Sequence, residues 1–263
     1  MENHSLFRST KYWLIGILIW LTGDRGQIWL ETLSILNRLK QGVAYEKELD
    51  LLEKFLNEGD TCIDVGANVG QWSYYMSKKV GSSGKVVAIE PMPVSNKVLN
   101  NVISKMKMKN VTAYKIALGD KEGRVSMHVD KNKYGAKFLS TSHISNDVTS
   151  LESRSQTPIK TLDGFVSSFN ITNIRLIKCD IEGAELLFLK GGANVLKRDK
   201  PILICEIQEL NTKQFGYAPK DIFTYLESLY YGAYKYRSGR LIPIDVPDPE
   251  EINYIFIHNG NNY

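Results

Sequence analysis

Four short apolar runs, CIDV (62–65), VVAI (86–89), LIKC (176–179) and ILIC (202–205), each carry an acid at their C-terminal end: Asp64, Glu90, Asp180 and Glu206. Continuous apolar runs of this length suit strands covered on both faces, which is the habit of parallel sheets. The stretches between them have helical character, so strands and helices alternate, and the expected class is α/β with helices on both faces of the sheet. Ligands of open α/β sheets bind beyond the carboxyl ends of the strands. The four acids are therefore expected to share one functional edge.

Residues 45–57 carry Leu49, Leu52, Phe55 and Leu56 at helical spacing. Further helices are expected over 69–79, from Pro91 and Pro93 to Lys107, over 161–169, over 182–197 with a break at Gly191-Gly192, and over 221–229. Strands are expected at 111–118, 124–129, 233–236 and 254–258. Residues 130–158, rich in Ser, Thr, Asn and Lys, show no sustained period and read as a long loop, a length that usually signals function or disorder. A chain of 263 residues accommodates one large domain or two small ones. The order of the runs favours one domain over 46–263, preceded by a helical extension over 1–45.

The first strand leads into Asp64-Val65-Gly66-Ala67-Asn68-Val69-Gly70, a glycine turn that lets backbone approach a ligand closely. Glu90 lies 20 residues beyond Gly70 at the end of the next strand, where a carboxylate can accept from ribose hydroxyls. A nicotinamide dinucleotide is disfavoured because Asn68 stands where that fingerprint needs its second glycine, the residue that admits the pyrophosphate. An adenosine without a pyrophosphate, such as S-adenosylmethionine, suits the turn better.

Lys+Arg 33 against Asp+Glu 29 gives a net charge of +4, too mild to argue for nucleic acid. Three widely spaced cysteines, Cys62, Cys179 and Cys205, and four histidines make a zinc site or a disulfide framework improbable on spacing alone. Each cysteine lies in a strand and is expected to be buried and free. No metal site is assigned. Residues 12–21 (YWLIGILIWL) follow Arg8 and Lys11. As a helix they measure about 15 Å, half of a bilayer core, and no signal-type cleavage site follows. A helix buried against the domain or a partner is the plainer reading, with weak membrane association through 12–21 the rival. A second apolar stretch, 28–39, has helical spacing. The location expected is cytoplasmic, and homo-oligomerisation stays open.

The strings IDVGANVGQWSYYMSKKVGSSGKVVAIEPMP, NVTAYKIALGDKEG, TLDGF, IKCDIEGAELLFLKGG and PILICEI occur in this order from Thr61 to Ile207. In this order they resemble the FkbM family of S-adenosylmethionine-dependent methyltransferases. The resemblance implies a Rossmann-like class I methyltransferase fold, with a seven-stranded, mostly parallel sheet whose last strand is antiparallel. It implies O-methylation of a sugar, glycan, polyketide or other small metabolite. One departure is Gly164, where the family more often carries a second Asp.

By the same resemblance, Asp64, Gly66, Ala67, Asn68 and Gly70 line the methionine end of the cofactor and Glu90 binds its ribose. Ala117, Leu118 and Asp120 lie near adenine, and Asp180 lies beside the sulfonium, followed by Glu182 and Glu185. Glu185 reads equally well as a helix cap. Candidates to take the acceptor's proton are Asp180, Glu182, Glu206 and His143, the last in the long loop. Acceptor contacts are expected from 130–158 and 210–250, where Tyr217, Tyr230, Tyr231, Tyr234 and Tyr236 either stack on a sugar or fill a core. A nucleic-acid methyltransferase on the same fold, or a cofactor-binding protein without turnover, are the alternatives.

Overall fold

The computed structural model describes residues 21–43, 46–128, 143–145 and 156–260. Helix α1 (Asp24–Lys40) precedes a 3-10 turn (Lys47–Leu51) and the single-turn helix α2 (Leu52–Phe55). Then β1 (Thr61–Val65), α3 (Gln71–Val80), β2 (Lys85–Ile89), α4 (Pro93–Lys105) and β3 (Val111–Tyr114) alternate. Four strands follow: β4 (Ala117–Leu118), β5 (Gly123–His128), β6 (His143–Ser145) and β7 (Gln156–Lys160). Next come α5 (Leu162–Ser168), β8 (Ile174–Cys179), α6 (Glu185–Gly191), α7 (Ala193–Asp199), β9 (Ile202–Glu206) and α8 (Glu209–Thr212). Helix α9 (Pro219–Glu227) and strands β10 (Tyr231–Arg237), β11 (Arg240–Ile244) and β12 (Asn253–His258) complete the described chain.

Among the described residues the main sheet has eight strands in the order β11-β10-β12-β9-β8-β1-β2-β3. The five from β9 to β3 are parallel, whereas β12 pairs antiparallel with β9, β10 with β12, and β11 with β10. This is the expected mostly parallel α/β sheet with one strand more than the seven anticipated. The extra strand is β11, joined to β10 by the two-residue turn Ser238-Gly239, both with positive φ (53° and 78°). That turn is a hairpin signal in the sequence, and β11 carries the apolar residues Leu241, Ile242 and Ile244 around Pro243, but it is a short, half-exposed edge strand.

A second sheet, β4-β7-β5-β6, lies beside the first in the chain between β3 and α5. It corrects two expectations. The single strand over 111–118 is two, because the chain leaves the main sheet after Tyr114 and Ala117–Leu118 pair with Ile159–Lys160 instead. The long loop over 130–158 contains β6 and the start of β7, pairing with β5. Strand β7 buries only Thr157 and Ile159 and is otherwise polar, which hid it from a search for apolar runs. The helix expected over 45–57 is likewise broken into the 3-10 turn and α2, and the helix expected from Glu182 begins at Glu185.

Helices cover both faces of the main sheet. One face (Ile63, Val65, Ile89, Ile177, Cys179, Leu203) packs on Phe165 of α5, Phe188 and Leu189 of α6, and Ile222 of α9. The other (Cys62, Ala88, Leu176, Ile204, Ile255) packs on Ile35 of α1, Trp72 and Met76 of α3, and Leu99 of α4. The three cysteines are buried and free. Tyr231 and Tyr236 are buried core residues, whereas Tyr230 is exposed.

Candidate active site

Strand β1 ends in the turn 64–70, and the sequence makes that turn for steric reasons. Gly66 has φ +79°, and a Cβ there would lie 1.7 Å from the Asp180 carbonyl oxygen. The turn therefore rests directly on the end of β8, its neighbour in the sheet. Amides of Gly66 and Ala67 donate to the Ile89 carbonyl at 2.9 and 3.0 Å, tying the turn to β2 as well. Asn68 takes a positive φ of 48°, tolerated by Asn more readily than by most residues, and Gly70 closes the turn by donating to Ala67 at 2.8 Å.

Glu90 sits beneath this turn. Its carboxylate accepts from the Asn68 amide at 2.8 Å and the Met92 amide at 2.7 Å. Burial pushes its pKa up to about 7, against the pull of these two amides. Asp64 is buried toward α3, where Ser73 Oγ donates to its Oδ2 at 2.5 Å. Burial raises Asp64 to about 6, with Ser73 and Lys178 acting against the rise.

The end of β8 carries the second turn, 180–184. Glu182 has φ +54° and Gly183 φ +104°, so the backbone reverses before α6 starts. Glu185, wholly buried, turns back and accepts from the Gly183 amide at 3.0 Å and the Ile181 amide at 3.4 Å. Its pKa rises to about 7 through burial. The Tyr217 hydroxyl donates to the Gly183 carbonyl and accepts from the Leu186 amide at 3.2 Å. Glu182 accepts from Asn211 Nδ2 at 2.6 Å, and burial followed by the charges of Asp180 and Glu206 raises it to about 8. Glu206 accepts from Gln208 Nε2 at 2.6 Å, and burial and then Asp180 raise its pKa.

Lys178 escaped the reading of the chain as a site residue. It stands one residue before Cys179 in β8, opposite Asp64 in register, and is 1% exposed. Its Nζ lies 4.0 Å from Asp180 Oδ2, 3.5 Å from Asn253 Oδ1 and 5.5 Å from the centre of the Trp72 ring. The Trp72 indole donates to Glu46 Oε2 at 2.7 Å. Burial opposes the ammonium, yet Asp180, Glu46 and Glu206 together hold Lys178 above the ordinary lysine range. The signal was present: a lysine inside a run covered on both faces must find buried partners.

The fold thus gathers Asp64, Gly66, Asn68, Glu90, Asp180, Glu182, Glu185, Lys178 and Glu206 at the carboxyl ends of β1, β2, β8 and β9. Ala67 and Gly70 lie in the same turn after β1; the remaining candidates lie on other elements. Ala117 and Leu118 are buried in β4, and Asp120 is an exposed turn residue. His143 belongs to β6 of the second sheet rather than to a loop, and its side chain lies outside the described residues, as does the apolar segment 12–20. Among the described residues no three His, Cys, Asp or Glu side chains form a metal-binding group. No helix there is long and apolar enough to cross a membrane.

Comparison with known proteins adds a family. A model described as the methyltransferase FkbM domain matches residues 64–235. Methyltransferase 1 of Beauveria bassiana is 24% identical over 142 residues, covering 49% of this chain and 57% of that protein. Ribosomal RNA large subunit methyltransferase E of Buchnera aphidicola is 46% identical over 48 residues, covering 18% of this chain and 23% of that protein. The crystal structure of a methyltransferase FkbM from Methylobacillus flagellatus aligns with TM-score 0.52 at 17% identity, covering 76% of this chain and 44% of that chain, a likeness of fold. The chain therefore spans less than two thirds of the length of each. The described residues suit the family's cofactor, S-adenosylmethionine. Asn68 Oδ1 is buried with no hydrogen-bond partner in the described structure. Each Glu90 oxygen accepts one amide and keeps lone-pair capacity for a hydroxyl.

Proposed function

Because the chain belongs to the FkbM family of S-adenosylmethionine-dependent methyltransferases, we propose that it methylates a hydroxyl of a sugar, glycan or polyketide-type metabolite. The observation that carries this reading is the acid edge around Asp180. Its side chain is one-third exposed beside the turn at Gly66, while Lys178 behind it is buried. When bound, the cofactor supplies a methyl group activated by a positive sulfonium.

The chain's residues then divide the work. Glu90 takes ribose hydroxyls, with its two amide bonds fixing its orientation. Gly66, Ala67, Asn68 and Gly70 present backbone and the Asn68 amide oxygen to the amino-acid end, and Asp64 braces that turn from below through Ser73. Ala117, Leu118 and Asp120 are assigned to the adenine side on the family resemblance alone. Asp180, one-third exposed, would accept the proton of the acceptor hydroxyl. Glu206 stands beside it as a second acceptor. Glu182, raised to about 8, holds its own proton at neutral pH and is a weaker base there. His143 is carried as a candidate with no contact assigned. Lys178 is a positioning residue whose ammonium lies 4.0 Å from Asp180 Oδ2 and pulls the Glu206 carboxyl down against the burial that raises it.

A nucleic-acid acceptor is the second reading, favoured by the short match to the ribosomal RNA enzyme. The acidic edge at Asp180 and Glu206 opposes it, since negative charge there repels a phosphate backbone at the point where the acceptor must enter. Calorimetry with S-adenosylmethionine tests the cofactor assignment, with binding expected for the wild type. Transfer of a labelled methyl group to glycans, polyketides and tRNA then tests the acceptor. Transfer to RNA alone would reject the small-metabolite reading. Binding without transfer to any class would favour a protein that holds cofactor without turnover.

A further inference from the structure

The active edge receives one carboxylate from outside the span that the family model matches. Glu46 lies ahead of residues 64–235, so the match assigns it no role. It is the extended residue (φ −105°, ψ 124°) that enters the 3-10 turn Lys47–Leu51. That turn is fixed on two sides. Leu49 and Leu51 are buried in the core that also holds Trp72 and Met76 of α3. Lys47 Nζ donates to Glu251 Oε1 at 2.8 Å, just ahead of β12. Glu46 is thereby held half-buried, and its Oε2 accepts from the Trp72 indole N–H at 2.7 Å.

Trp72 joins this carboxylate to the edge. Its ring is 5% exposed, and its centre lies 5.5 Å from Lys178 Nζ, within cation–π range. An indole N–H that donates to a carboxylate leaves the ring richer in electrons and a better seat for an ammonium. Lys178 needs such a seat. Among the described residues its one hydrogen bond is the long contact of 3.5 Å to Asn253 Oδ1, and Asp180 Oδ2 is 4.0 Å away. A buried ammonium without a short bond is placed by the charges and the ring around it. The Glu46 charge reaches the rest of the edge as well. Burial is the main reason that the Asp64 and Glu206 carboxyls are raised, and Glu46 adds to both rises.

We infer that Glu46 is a positioning residue of the active edge, which holds the Lys178 ammonium beside Asp180 through the Trp72 indole. Its part in methyl transfer rests on the function proposed above; the arrangement of the four side chains does not. The competing account makes Glu46 a structural tie between the 3-10 turn and α3, with no hold on Lys178.

Glu46→Gln and Glu46→Ala separate the two accounts. Both remove the charge, but only alanine removes the acceptor of the indole N–H. Carbon-13 carboxyl NMR of the ligand-free full chain reads the titration of Glu206, with Glu206→Gln identifying its signal. Asp180, Lys178, Gln208 and Glu46 are the groups that act on this carboxyl besides burial. Glutamine should lower its midpoint by about half a pH unit, because one anion is lost. Alanine should leave the midpoint clearly higher than glutamine does, because an ammonium that has lost its seat no longer pulls the carboxyl down. Lys178→Met sets the limit of that effect and should raise Glu206 above the wild type. Equal midpoints in the glutamine and alanine variants overturn the inference, and a lower thermal midpoint for alanine alone then leaves Glu46 a structural tie. A Glu206 that Lys178→Met does not raise overturns it too. Calorimetry of the wild type with S-adenosylmethionine runs alongside. Absence of binding there rejects the function proposed above without touching the Glu206 result, so the two failures are distinguishable.

Discussion

The turns after β1 and β8 lie side by side and are built from the same parts, yet they end differently. Each pairs glycine with a non-glycine residue at positive φ: Gly66 and Gly70 with Asn68, Gly183 with Glu182. Each folds over a buried carboxylate that accepts backbone amides, Glu90 in the first and Glu185 in the second. The second turn is closed by its own chain, because Tyr217 takes the Gly183 carbonyl and Asn211 takes Glu182. The first is left with a buried amide oxygen on Asn68 that has no partner. One turn is a brace and the other a receptor, and Gly66 is the point where the brace supports the receptor.

Gly66→Ala should break the comparison most severely. Its Cβ meets the Asp180 backbone, and a left-handed φ adds strain, so a loss of about 3 kcal/mol or more is expected from overpacking and conformation together. Denaturant unfolding reads the stability, and calorimetry should find cofactor binding gone. An alanine variant as stable as the wild type would show that the two turns do not press on each other.

Glu90→Ala comes next and separates receptor from brace. It strands the Asn68 and Met92 amides and removes the proposed ribose acceptor, costing about 1.5–3 kcal/mol per charged hydrogen bond. Cofactor affinity should fall by about two orders of magnitude, a ratio that follows from that range. Glu185→Gln should show the reverse pattern. Stability drops by about 1–2 kcal/mol as weaker acceptors replace the carboxylate, while cofactor affinity stays within a factor of a few. If Glu185→Gln loses cofactor as badly as Glu90→Ala, the second turn is itself a binding element.

The pH dependence tests the same comparison without a mutation. Asp64, Glu90 and Glu185 hold protons to about 6, 7 and 7 in the fold, whereas such groups titrate near 4 in an unfolded chain. The folded state therefore binds more protons between those limits. The stability these groups contribute is full below about pH 4 and is lost as pH rises through 6 to 7. Thermal midpoints of the ligand-free protein should reveal this slope, and Glu185→Gln should flatten it. An equal slope in the variant would remove Glu185 from the account.

Much of this was legible in the chain because the relevant signals are local or periodic. Apolar runs ending in acids mark strands covered on both faces, and the glycine spacing after Asp64 marks a turn that must approach another backbone. The small sheet was not legible. Strands β4, β6 and β7 are two to five residues long, and their identity lies in partners, Ala117 with Ile159 and Ser126 with Ser145, rather than in their own composition. The role of Glu185 stayed ambiguous for a related reason, since a helix cap and a ligand contact use the same residue at the same place.

The sequence alone determined the α/β class, the carboxyl edge and the family, because each follows from residues close together or from spacing along one element. Only the tertiary structure decided which acids are spent inside the protein and which stay available. That choice depends on Ser73 and the buried Lys178, and on Asn211 and Tyr217, which lie 29 and 34 residues from the groups they bind and meet them only through the way β8 and β9 pack. Hydrogen bonds and charges act through distance in space, and no pattern along the chain records it.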